Sequence, residues 1–147
     1  MPLGETRALW WRLLGVSFLV GALLDLFFGL GVLLAQERLA PVFGLELPVP
    51  RVYLDLNGLL LVALGLVYLL IFLQPRRLAP VAAVATLLRF GGFALFYRDV
   101  FSGRADRFFL VIGATEGILA MVHLLLLRLA AGGLVAAVLR DDRGAAE

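Results

Sequence analysis

The chain has 147 residues, 63% of them hydrophobic and only 16% charged, with a mean hydropathy of +1.02, whereas an ordinary soluble domain is about 45–50% apolar. A chain of this length hides only about 70% of its unfolded surface on folding, so the excess apolar area has to face lipid, and a soluble globular domain is excluded. The net charge is +2, all 13 basic residues are arginine without forming a basic tract, and there is no cysteine; nucleic acid is not an expected partner, and disulfides, thiolate metal sites and cysteine nucleophiles are ruled out.

Four apolar stretches follow in chain order, at about 8–35, 52–73, 78–97 and 108–130. Each reaches the ~20 residues that a helix needs to span ~30 Å of hydrocarbon, so the expected fold is all-α, an integral membrane four-helix bundle forming a single transmembrane domain. The first stretch opens with Arg7, Trp10, Trp11 and Arg12. It is far too long for the apolar core of a signal peptide and has no clear small-residue cleavage site, so it is expected to be a retained span with an aromatic belt.

The longest link, Gln36 to Arg51, holds Pro41, Pro48 and Pro50 together with Glu37, Arg38 and Glu46. Proline interrupts a continuous helix, so this link is expected to lie at the headgroup level without a further crossing. Gln74-Pro75-Arg76-Arg77 forms a tight turn, and 98–107 a polar loop. Beyond Arg128 a short helical extension is expected, broken or bent at Gly132 and Gly133, and then a polar tail from Arg140.

Four spans put both termini on one side. That side collects Arg7, Arg12, Arg76, Arg77, Arg128, Arg140 and Arg143, against Arg38, Arg51, Arg98, Arg104 and Arg107 on the other, and the positive-inside rule then places the termini in the cytoplasm.

The informative residues are the charges that lipid should not hold: Asp25, Arg89 and Glu116. Each costs a few kcal/mol at the bilayer centre unless it is paired. Counting inward from the loops opposite the termini, all three lie roughly 12–14 Å deep. Small residues share their helical stripes: Gly21, Ala22 and Gly29 with Asp25; Ala82, Ala85 and Gly92 with Arg89; Gly113, Gly117 and Ala120 with Glu116. Close helix packing in membranes needs small residues, so the charged stripes are predicted to face the interior, with Arg89 paired to Glu116, Asp25 or both. Asp55 and Asn57 lie roughly 5–8 Å deep by the same count, placed to cap or gate the cluster. His123 follows Glu116 by seven residues on nearly the same helix face, with Tyr68 as its expected partner. This set, Asp25, Asp55, Asn57, Arg89, Glu116 and His123, is either a structural knot or a site for a proton, cation or ligand. No serine, histidine and acid arrangement supports nucleophilic catalysis, and one histidine in the whole chain gives no basis for a metal site.

From Arg51 onward, Asp55-Leu-Asn-Gly58 leading into Ala63-Leu-Gly65, the Pro75 turn, Leu88-Arg89-Phe90-Gly91, and Glu116-Gly117 with His123 resemble the DoxX-like group of small bacterial four-helix membrane proteins. The resemblance covers about 80 of the 147 residues. It implies a bacterial cytoplasmic membrane, and some members resemble quinone-linked oxidoreductase subunits while others accompany soluble redox enzymes. The preferred expectation is a non-catalytic accessory or scaffold subunit without a cofactor of its own. Its partners would be membrane lipids and other membrane subunits, or further copies of the chain. The competing expectation is a protein for a lipophilic ligand, a quinone-linked subunit or an isomerase, using the acid and arginine cluster.

Overall fold

The computed structural model describes residues 3–139; the expected polar tail from Arg140 lies outside them. The chain is all-α: α1 Leu3–Val42, α2 Val52–Leu73, α3 Ala79–Phe101, α4 Phe109–Ala131 and the short α5 Leu134–Val138, with no strand among the described residues. Helices α1 to α4 are each long and apolar enough to cross a membrane. This is the all-α, four-helix membrane class that the hydropathy predicts, and it is compatible with an integral membrane protein. Large apolar side chains such as Phe27, Leu73, Val111 and Ile118 are exposed along these helices, as lipid-facing surface requires.

Two boundaries differ from expectation: α1 begins at Leu3 and not near residue 8, and α3 runs on to Phe101, into the expected polar loop. The first span breaks near residue 35 as expected, where Ala35 leaves the helical dihedrals (φ −141°, ψ 17°), but a further helical segment runs as far as Val42, with Pro41 inside. Pro41 is tolerated because it sits in the last turn of that segment, where little ladder remains to be lost. The end is closed by a Schellman motif: Leu45 N–H donates to the Ala40 carbonyl at 2.9 Å and Gly44 N–H to the Pro41 carbonyl at 3.1 Å. Gly44 takes φ +65°, the left-handed conformation that this cap requires and glycine adopts without a Cβ clash.

The chain divides into two compact units, Leu19–Leu69 and Met1–Phe18 with Leu70–Glu147. In the first, α1 and α2 cross through glycines. A Cβ on Gly29 would lie 2.9 Å from both the Gly58 carbonyl oxygen and the Val62 nitrogen, and one on Gly65 would lie 3.2 Å from the Ala22 carbonyl oxygen. The link after the kink is tied down by polar pairs, with Gln36 Nε2 donating to Asp55 Oδ1 at 2.9 Å and Arg51 pairing with Glu37. Arg51 and Glu37 are both exposed, so their pairing contributes less than about 1 kcal/mol.

In the second unit α3 and α4 pack along each other, and α5 folds back on both. Pro80 sits in the first turn of α3, where its missing N–H would have had no helical partner anyway. The left-handed Gly132 (φ +96°) and the following Gly133 (φ +127°) end α4 and turn the chain into α5, as the paired glycines predict. Arg7 Nε reaches the Ala130 carbonyl at 2.8 Å, supplying a donor to one of the last carbonyls of α4, which have none within the helix. Hydroxyls inside the helices bond back to their own backbone: Ser17 to Leu14, Thr86 to Ala82 and Thr115 to Val111, at 2.8, 2.8 and 3.0 Å. Lipid offers no alternative partner.

Candidate functional site: an intramembrane ion pair

The site begins with the spacing of small residues on α3 and α4. Gly113 of α4 meets Phe96 and Tyr97 of α3, and Gly117 meets Phe93, so that a Cβ at either glycine would come within 3.0 Å of a ring or Cβ carbon. Between these contacts, one turn toward the α3 N-terminus, Arg89 and Glu116 face each other. Arg89 Nη1 donates to both carboxylate oxygens of Glu116 at 2.8 Å. The arginine side chain is 2% exposed and that of Glu116 21%. Gly92, three residues beyond Arg89, lies beside the acid, where a Cβ would make ordinary contact with Glu116 Cγ at 3.8 Å. Charge-assisted bonds of this length are the stronger kind, and each charge needs the other in an apolar layer.

Most of the flanking small residues are inside, Gly113 among them, while Gly92 and Gly117 are half-buried. Ala82, Ala85 and Ala120 are buried beside the pair, and Gly21, Ala22 and Gly29 are buried on the stripe of Asp25. Asp25, in the unit Leu19–Leu69, is itself buried. Asp55 is engaged by Gln36, an interaction that was not foreseen because Gln36 read as the first residue of the link. Asn57 is exposed.

His123 is fully buried and lies flat against Phe18, ring centroids 3.9 Å apart and planes 8° from parallel. Against expectation, neither ring nitrogen has a hydrogen-bond partner among the described residues. Phe18 was not legible as its neighbour, because helix register across a bundle is not encoded in the spacing along either helix. Buried polar atoms without partners lower stability by about 1–3 kcal/mol each, while an aromatic stack returns about 0.5–1.5 kcal/mol. His123→Leu is therefore expected to stabilise the protein by about 0.5 kcal/mol or more, because the two relieved penalties exceed the lost stack. Thermal unfolding in detergent checks this, and a loss of several kcal/mol would show that the imidazole carries more than packing.

Open surface pockets of about 400 and 420 Å³ occur at the turn between α2 and α3 and beside the kink from Leu33 to Arg38. Arg89, Glu116 and His123 line neither. Compared with protein-family models, curated proteins and solved structures, the chain finds no match.

Proposed function

We propose that this chain is a non-catalytic integral membrane subunit, an accessory or scaffold component of a larger membrane complex, of the DoxX-like kind, in a bacterial cytoplasmic membrane. The observation that carries this reading is the direct closure of Arg89 on Glu116. A direct, charge-assisted pair between α3 and α4 holds these two helices in register, which is what a structural role asks of it. The exposed apolar stripe of α4, Val111, Ile118 and Leu125 with Met121, supplies surface that another helix can cover.

Purification from the native membrane in mild detergent tests the reading. A second membrane chain at fixed stoichiometry, lost on Ile118→Arg, supports it. A stoichiometric isoprenoid quinone, lost on Glu116→Gln while the chain still folds, would replace it with the lipophilic-ligand reading.

The same proposal places the termini in the cytoplasm, on the side richer in arginine. Because the chain has no cysteine, single cysteines report orientation cleanly. Glu46→Cys and Ser102→Cys should react with a membrane-impermeant maleimide on intact spheroplasts, and Gln74→Cys only after lysis. The opposite pattern would invert the topology.

A further inference from the structure

The cavity of about 400 Å³ at the turn between α2 and α3 is lined by Trp11 and Arg12 of α1 and by Leu73, Gln74, Arg76 and Arg77, among others. Among the described residues, three arginines and no acid line it. Arg12, Arg76 and Arg77 are exposed, Trp11 is buried beneath them, and Leu73 is 67% exposed. Among the described residues Arg77 donates to Gln74, at 3.4 Å, and pairs with no acid. The nearest acid along α1, Glu5, lies one turn beyond Ala8, the first α1 residue of the lining.

Position selects among anions. The cavity sits where α2 ends and α3 begins, at the ends of membrane-length helices, which is the headgroup level of a bilayer. Its lining is amphiphilic. The arginines crown it, Trp11 and Leu73 form its apolar wall, and exposed Val16, four residues after Arg12, and Leu70, three before Leu73, continue along the helices toward the hydrocarbon. A free anion would use only the crown, whereas a phospholipid uses both parts. Arginine suits the phosphodiester because its planar fork matches two phosphate oxygens at once.

We infer that this cavity is a binding site for one anionic phospholipid, its phosphodiester held by Arg12, Arg76 and Arg77 and its acyl chains laid along the exposed leucines. The inference depends on the membrane setting and not on the accessory role, so either can fail without the other.

Native mass spectrometry of the full chain, offered equal amounts of phosphatidylglycerol and phosphatidylcholine in detergent, tests it. The first lipid retained should be phosphatidylglycerol, with a preference of about tenfold, since each arginine near an anionic surface adds measurably to the attraction. Arg12→Gln/Arg76→Gln/Arg77→Gln should abolish that preference. Arg98→Gln/Arg104→Gln/Arg107→Gln, which removes the same charge from the loop between α3 and α4, should keep it. Glycerol 3-phosphate at millimolar concentration should not displace the lipid. If the triple variant does not fold, the single variants Arg76→Gln and Arg77→Gln in the turn decide, each lowering the preference about twofold. Equal retention of the two lipids, equal loss in both triple variants, or displacement by glycerol 3-phosphate would overturn the assignment. The first would show no headgroup selectivity, the second a general charge effect and the third a site for a soluble phosphate.

Discussion

Replacing Arg89 by alanine is expected to destabilise the protein by about 3–5 kcal/mol, the loss typical when one member of a buried ion pair is removed and the other is left uncompensated. Arg89 Nη1 holds both Glu116 oxygens at 2.8 Å, so the truncation removes two charge-assisted bonds at once. The converse change, Glu116→Ala, removes the same two bonds and should destabilise as well, because a guanidinium cannot shed its proton to escape burial, and Arg89 is buried. The double variant Arg89→Met/Glu116→Leu should recover most of the loss, since apolar residues of similar volume replace a buried pair at little cost or even a gain. Reversible unfolding in mixed micelles measures all three. A double variant as unstable as either single one would mean that the site needs its charges for more than mutual neutralisation, and would weaken the scaffold reading.

The pairing was readable from the sequence because three signals coincided at Arg89 and Glu116: equal estimated depth, alanines and glycines at spacings of three, four and seven, and the high cost of a lone charge in hydrocarbon. The spans were readable for a simpler reason, since a run of ~20 apolar residues has few other folds open to it. The break at Ala35 falls where the apolar run gives way to Gln36, Glu37 and Arg38. The helical segment running on to Val42 is not legible, because Pro41 reads as a stop, although a proline in a last turn closed by Gly44 is permitted. The missing hydrogen bonds of His123 are a matter of tertiary register. The spacing placed it on the face of Glu116, yet nothing along α4 says that Phe18 stacks on it. The arginine-lined cavity follows the same rule: Arg76 and Arg77 are adjacent in sequence, but Arg12 joins them only when α1 is folded beside the turn.

Among the glycines, Gly29 should give the largest effect on substitution, with Gly91 as its internal control. At Gly29 a Cβ would stand 2.9 Å from the Gly58 carbonyl oxygen and 2.9 Å from the Val62 nitrogen. Both are backbone atoms of α2, which cannot rotate aside as a side-chain tip can, so the two helices must separate. Separation forfeits the close contacts that hold helices together where lipid supplies no hydrophobic drive. Gly29→Ala is therefore expected to destabilise by about 1–3 kcal/mol, and Gly29→Leu by more. At Gly91, inside α3, an added Cβ meets nothing within 4 Å. There the substitution only removes backbone freedom from the unfolded chain, and Gly91→Ala should stabilise by about 0.5–1 kcal/mol. The opposite signs make the comparison decisive, since a general sensitivity of helical glycines would move both variants the same way. If unfolding in micelles shows Gly29→Ala to be as stable as the parent, the close crossing of α1 and α2 at Gly29 and Gly58 is not what holds that unit together.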